Sequence, residues 1–143
     1  MTARIVKKDP AGEGPPTSGG VLLRLTWPGD PIPKGRPRHG RSGHAFTPAR
    51  TRDAEDALRA AVDAVAPPDP YAGPVGLWVA FYCLTRRRTD GDNLVKLVTD
   101  CAQRGRRDVG GVILDDAQIV RWELDIYRGC DEPRTEIVLW ALD

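Results

Sequence analysis

Residues 75–100 decide the fold: the run VGLWVAFYCL at 75–84 is followed by RRRTDGDNLVKLVTD at 86–100. The first run is dense in β-branched and aromatic residues, a composition that predicts a buried central strand. In the second, an apolar spacing of i, i+3, i+4 and i+7 that starts at Leu94 predicts a helix over residues 93–103. A strand, an arginine run and an acidic helix start therefore follow one another directly.

Acidic residues flank this helix on both sides. Asp90 and Asp92 stand at its start, Lys96 lies one turn beyond Asp92, and Asp115 and Asp116 come after it in the segment ILDDAQIV. Carboxylates held close together repel one another unless a cation lies between them, and Mg²⁺ or Mn²⁺ is the usual cation for oxygen ligands. Because arginines precede the cluster, we expect its substrate to be a phosphate. The pattern predicts metal-dependent phosphodiester chemistry.

A purely structural interpretation of the same residues stays open. Asp90 or Asp92 can cap the helix, Lys96 can be an ordinary i+4 salt-bridge partner, and the second acidic pair can be a polar turn. For Asp-x-Asp alone this interpretation is the stronger one, whereas the lysine, the arginines and the second acidic pair together favour chemistry. A nucleotide-sugar transferase that uses Asp-x-Asp is disfavoured by the basic N-terminal loop and by the lack of a nucleotide-binding βαβ unit.

The composition is that of one domain without a membrane span. The chain has 143 residues, 41% of them hydrophobic, and no long uncharged apolar run. Its first residues, MTARIVKKDP, lack the apolar stretch of a secretory signal. Three cysteines, an odd number without a CxxC motif, predict buried or idle thiols in a reducing compartment. We therefore expect a cytoplasmic protein.

Positive charge is concentrated in three groups although the net charge is only +1. Residues 34–52 contain six Lys/Arg and no Asp or Glu, and further groups follow at 86–88 and 104–107. This distribution favours an enzyme that holds a polyanion on one surface and a metal on another. A solvated, arginine-rich surface is the alternative. His39 and His44 lie in the first group and are expected to be solvated or to face phosphate rather than bind metal.

The remaining segments complete one α+β domain over residues 21–143, preceded by a disordered arm at residues 1–20 that is rich in Pro and Gly. The other predicted elements are a strand at 21–27, a mobile basic loop at 34–45, a helix at 47–66 that prolines end, and strands at 116–128 and 135–142 joined as a hairpin through RGCDEP. The order β-α-β-α-β-β predicts two helices packed on one face of a mixed sheet.

Four segments together resemble the RusA family of Holliday junction resolvases, the last of them the C-terminal strands, which follow at the expected place. PIPKGRPRHGRSGHAFTP at 31–48 resembles the family's N-terminal basic loop, RRRTDGDNLVKLVTD its core signature, and ILDDAQIV its D-D-x-Q segment. The resemblance covers about residues 21–142. It implies a structure-selective endodeoxyribonuclease that resolves four-way junctions in DNA recombination and repair, in a bacterial cell or a phage-infected host.

Carried over residue by residue, the resemblance implies a site. The implied metal ligands, for Mg²⁺ or Mn²⁺, are three acids: Asp90, Asp92 and Asp116. The implied catalytic set adds the family's lysine, which falls on Lys96. Two further acids match family positions and are expected to support the site: Asp100 and Asp115.

Branched DNA and a second copy of the chain are the implied partners. Phosphate contacts are expected from six basic residues: Lys34, Arg36, Arg38, Arg86, Arg87 and Arg88. Two symmetric nicks need two sites related by a two-fold axis, which a homodimer supplies. The candidate interfaces are the strand at 75–84 and the C-terminal hairpin with Trp122 and Trp140, although most of the four tryptophans are expected in the core. A non-catalytic protein that binds junctions or forks remains the alternative.

Overall fold

The computed structural model of the protein describes residue 15 and residues 20–35, 38–40, 43, 45–46, 48–105 and 109–142, without the side chains at 38, 39, 45 and 46. Almost all of the predicted N-terminal arm lies outside these residues. In the described part of the chain, no helix has the length and apolarity that crossing a membrane requires.

Two helices and a four-stranded sheet form in the predicted order. The elements are β1 (Val21–Pro28), β2 (Arg38–His39), β3 (Ala45–Phe46), α1 (Ala49–Val65), β4 (Val75–Tyr82), α2 (Gly91–Ala102), a 3₁₀ helix (Asp116–Gln118), β5 (Ile119–Tyr127) and β6 (Arg134–Ala141). The α+β prediction is confirmed. The predicted loop contains one feature that the composition did not indicate, the short antiparallel pair of β2 and β3.

The strand order in the sheet is β1-β6-β4-β5. β4 and β5 are parallel because α2 connects them as a crossover, whereas β6 runs antiparallel to both β1 and β4. β5 and β6 are therefore not neighbours, and the predicted hairpin through RGCDEP is wrong. That connection instead crosses the end of β4, where the N–H of Cys130 donates to the carbonyl of Cys83 over 2.9 Å.

One continuous core lies between the helices and the sheet. Alternate residues of β4 are buried on this side: Val75, Leu77, Val79 and Phe81. α2 contributes Leu94 and Leu97, each 1% exposed. Full burial of a leucine stabilises the fold by about 1.5–3 kcal/mol. This apolar face fixes the rotation of α2 and leaves Asp92 and Lys96 exposed.

The opposite face of the sheet is packed by aromatic rings. Trp140 lies across Gly76, where an added Cβ would come within 2.3 Å of the indole ring. Tyr82 stacks on Tyr127 with ring centroids 4.9 Å apart. Three tryptophans contribute to packing as expected, with Trp140 buried and Trp27 and Trp78 half-buried. Trp122, on the edge strand β5, is the exception and is 52% exposed.

All three cysteines are buried free thiols, as predicted. Burial raises the pKa of Cys101 to about 12. A thiol that stays protonated at neutral pH is a poor nucleophile and a poor metal ligand, so Cys101 is a packing residue.

Candidate active site

The start of α2 is capped by Asp90. A side-chain oxygen of Asp90 accepts a hydrogen bond from the backbone N–H of Asp92, over 3.1 Å. Asp90 therefore has the helix-capping role that the structural interpretation predicts. A carboxylate has a second oxygen, and the exposed position of Asp90 keeps it accessible.

Lys96 lies between two carboxylates that are far apart in sequence. Its Nζ is 3.2 Å from Oδ1 of Asp100 and 3.7 Å from Oδ2 of Asp116. Asp100 is 9% exposed, whereas the Lys96 side chain is 51% exposed. Helix α2 and the 3₁₀ helix are thus joined through one ammonium group. Asp92 lies one helical turn before Lys96 on the same side of α2.

The D-D-x-Q segment is a capped turn. A side-chain oxygen of Asp115 accepts from the N–H of Ala117 over 2.8 Å, and Oε1 of Gln118 accepts from the N–H groups of Leu114 and Asp115. This reciprocal arrangement is a capping box. Asp115 therefore caps the turn, and Asp116 is the member of the pair that contacts Lys96.

Two residues that the sequence analysis missed hold this turn in place. Oε1 of Gln103, at the end of α2, accepts from the N–H of Asp116 over 3.0 Å. The amide nitrogen of Gln118 donates to the carbonyls of Tyr71 and Gly73, just before β4. Neither contact has a local sequence signal, because each partner comes from another element.

Lys34 is held by acids rather than left free. Its ammonium donates to the carboxylate of Asp100 and lies 3.6 Å from Oε1 of Glu55. Burial by itself would lower the pKa of Lys34, but its hydrogen bond to Asp100 and the charges of both acids outweigh that effect and raise it. The backbone is fixed as well, since the N–H of Lys34 donates to the carbonyl of Asn93 over 2.9 Å.

These contacts form a lysine–carboxylate chain of alternating charge: Glu55, Lys34, Asp100, Lys96 and Asp116. It runs from α1 through the start of the basic loop and α2 to the 3₁₀ helix. Glu55 was not predicted to belong to the site. Nothing in the helical pattern of α1 distinguishes it from the exposed acids Asp53 and Asp56.

The arginine run continues from β4 along the edge of a cavity of about 590 Å³ beside Asp90. Arg86, Arg88, Thr89, Asp90 and Arg128 line it. Arg128 follows β5 and was not predicted. Arg87 does not line the cavity; its backbone N–H donates to Oγ1 of Thr85 over 3.4 Å. The predictions for Arg36, Arg38, His39 and His44 concern side chains outside the described residues.

The donor chemistry of the site suits a hard divalent cation, but the described residues form no preformed cage. Within the described ranges, no three acidic, histidine or cysteine side chains converge as an ion-binding group. Mg²⁺ commonly takes only one or two protein carboxylates and completes its shell with waters and substrate phosphate oxygens. The exposed Asp92 and the half-buried Asp116 are carboxylates of that kind.

Comparison with known proteins agrees with this chemistry. The chain matches the model of the family described as endodeoxyribonuclease RusA over residues 28–139, a range that includes the lysine–carboxylate chain and the arginines around the cavity. No curated protein matches the chain. RusA nucleases are generally metal-dependent. With most of its length matched, the chain belongs to the RusA family of Holliday-junction-resolving endodeoxyribonucleases.

Proposed function

We propose that the surface formed by α2 and the 3₁₀ helix is the hydrolytic centre of this nuclease. The observation that carries the proposal is the position of Lys96, 3.7 Å from Asp116 and one turn beyond Asp92. Acids from separate segments meet at the ammonium of Lys96 there, and Asp90, at the start of the same helix, lines the arginine cavity. Cleavage by water attack would leave 5′-phosphate and 3′-hydroxyl ends.

The proposed ion is Mg²⁺ or Mn²⁺, with Asp92 and Asp116 as its main protein ligands and the exposed oxygen of Asp90 as a third. When bound, a divalent ion supplies Lewis-acid polarisation of the scissile phosphate. Asp100 and Asp115 stay in supporting roles, one holding the ammonium of Lys96 and the other capping the turn that presents Asp116.

Lys96 is the proposed electrophilic residue of the chain. Its half-exposed ammonium is fixed by Asp100 on one side, so it does not need to reorganise when negative charge develops on the phosphate. A fixed donor at such a position typically contributes a factor of about 10²–10³ in rate. The ammonium can also orient the attacking water.

Paired nicks require two such centres, and we propose a homodimer that acts on four-way junctions and on forks. β4 is hydrogen-bonded to a strand on each side and cannot extend the sheet into a second copy. Edge strand β5 carries an exposed apolar stripe of Val120, Trp122 and Leu124, which supports it as the contact surface. Single, unpaired nicks in the assay below would contradict the dimer.

The test is cleavage of an end-labelled four-way junction with Mg²⁺ or Mn²⁺. We expect symmetric nicks from the wild-type protein. Asp92→Asn and Asp116→Asn should each lower the cutting rate at least about a hundredfold, because each loses several kcal/mol of transition-state stabilisation, while DNA binding is retained. In the same assay Lys96→Ala should slow cutting more than it weakens binding.

Asp131→Asn is the matched control, since Asp131 is an exposed acid in the β5–β6 connection. It should cut at the wild-type rate. Binding without cutting by the wild-type protein under every metal would instead identify a non-catalytic junction- or fork-binding protein. Full activity of Asp116→Asn would remove the 3₁₀ helix from the site.

A further inference from the structure

The arginine-lined cavity contains one residue that the arginine run does not supply. Arg86 and Arg88 come from the segment after β4, whereas Arg128 comes from the segment after β5. Parallel strands end at the same edge of a sheet, so the crossover through α2 brings the two segments together. Three guanidinium groups and one carboxylate, Asp90, surround about 590 Å³ of open space.

The two segments are bonded to each other beyond the strand ends. The N–H of Cys83 donates to the carbonyl of Tyr127 over 2.7 Å, and the N–H of Gly129 donates to that of Thr85 over 3.2 Å. Gly129 has φ +69° and no side chain, and an added Cβ would lie 3.4 Å from Nε of Arg86. Backbone hydrogen bonds therefore continue the pairing of β4 and β5 into the wall of the cavity.

Arg128 also fixes the backbone of the arginine run. Its Nε and Nη2 donate to the carbonyls of Arg87 and Thr89, each over 3.4 Å. Both bonds are long, and an arginine has five N–H donors, so donors remain for a ligand. Arg128 is half-buried, whereas Arg86 and Arg88 are exposed.

The three guanidinium groups differ from the lysines in having no acidic partner among the described residues. In the described part of the chain, none of them lies within 4.0 Å of a carboxylate oxygen, in contrast to both lysines of the lysine–carboxylate chain. With Asp90 counted, the cavity lining carries a net charge of +2, from three arginines and one aspartate. A concave surface with unpaired, forked cations is a site for a phosphate group.

We infer that Arg86, Arg88 and Arg128 form a binding site for one backbone phosphate of the DNA, and that Arg128 is a phosphate-binding residue. The inference rests on the proposed function, because Asp90 borders both the cavity and the proposed hydrolytic centre. The bound phosphate holds the DNA strand beside Asp90, at the start of the helix that carries Lys96.

The test measures binding without cutting. A labelled four-way junction is titrated in EDTA with wild-type protein, Arg128→Gln, Arg128→Lys and Arg24→Ala at several salt concentrations. Each lost phosphate contact reduces the slope of log affinity against log salt by about 0.9. We expect this loss, with affinity reduced about five- to tenfold at moderate salt, for Arg128→Gln. Arg128→Lys keeps the charge and should keep most of the slope.

Arg24→Ala is the control, since Arg24 is exposed on β1, at the opposite edge of the sheet from β5. Its slope should equal that of the wild-type protein. If Arg128 only positions the backbone, Arg128→Gln leaves the slope unchanged, and that result overturns the inference. Thermal unfolding of each variant shows whether it is folded, and a variant that fails this check is replaced by Arg88→Gln at the exposed rim.

Because no metal is present, the outcome is independent of catalysis. A wild-type protein that does not cut, combined with a reduced slope in Arg128→Gln, contradicts the hydrolytic centre and leaves the phosphate site standing. A wild-type protein that cuts, combined with an unchanged slope in Arg128→Gln, removes the phosphate site alone.

Discussion

The lysine–carboxylate chain and the arginine-lined cavity both adjoin α2, but the surroundings of their positive charges differ. In the first, Lys34 and Lys96 each contact two carboxylates. In the second, three arginines line open space together with Thr89 and one acid, Asp90. Basic residues that look equivalent in the sequence are therefore either neutralised inside the protein or left available for DNA.

The difference follows the chemistry of the two side chains. An ammonium is a compact charge that can be enclosed by carboxylates, as Asp100 and Glu55 enclose Lys34. A guanidinium is a planar fork that matches a phosphate in two hydrogen bonds. In our proposal Lys34 orders the start of the basic loop, and the phosphate contacts come from arginines. A contact between Lys34 and DNA stays a prediction of the sequence.

The largest effect is expected from removing the acid that both lysines share. Asp100→Ala leaves each ammonium with one partner and should lower the free energy of unfolding by about 1–3 kcal/mol, measured in urea. The value lies below that for a fully buried pair because the lysine side chains are 31% and 51% exposed. Asp56→Ala, an exposed acid on α1, should change stability by no more than about 0.5 kcal/mol. Equal losses of unfolding free energy in the two variants would show that the lysine–carboxylate chain adds no stability.

A smaller effect is expected in DNA binding. It compares Lys34, which contacts two acids, with Arg88, which lines the cavity. Arg88→Ala should reduce the salt slope of junction binding by about 1, because an available charge is lost. Lys34→Met should leave that slope unchanged, because Asp100 and Glu55 already neutralise the ammonium. If Lys34→Met reduces the slope as much as Arg88→Ala does, Lys34 is a DNA contact and the comparison fails.

The smallest effect is a dependence of stability on alkaline pH. The pKa of Lys34 is raised in the folded protein above the usual 10.5, so its stabilising contribution is complete below that pH and is lost as pH rises through the folded value. The stability difference between wild type and Lys34→Met should therefore shrink above about pH 10.5, by no more than about 1 kcal/mol. Tyr82, whose pKa is raised to about 12 mainly by burial, is not influenced by Lys34, so its titration is the same in both proteins and cancels. A constant difference would contradict the pairing.

Most of the fold could be predicted because its signals are local. The apolar period from Leu94 and the β-branched run at 75–84 gave α2 and β4 within two residues of their observed bounds. The pairing of the strands before and after RGCDEP could not be predicted from such local signals. Turn composition shows that the chain reverses, but not which strand the next one pairs with. In the structure, β5 pairs with one side of β4 and β6 with the other.

The residues of the candidate site likewise fall into those that local sequence signals indicate and those that they do not. The acidic positions and Lys96 can be read from spacing, and the capping role of Asp90 follows from its place at a helix start. Glu55, Gln103 and Arg128 carry no such signal, because each acts through a partner on a different element. Their residue types are common at surfaces, so only proximity distinguishes them.

By itself, the sequence determined the kinds of elements, their order and the supply of acids and bases, because periodicity and spacing are properties of neighbouring residues. Only the tertiary structure decided the order of the strands, the pairing of Lys34 with Asp100 and Glu55, and the position of Arg128 beside the arginine run. Electrostatic interactions depend on distance in space, and in a folded chain that distance is set by packing between elements remote in sequence.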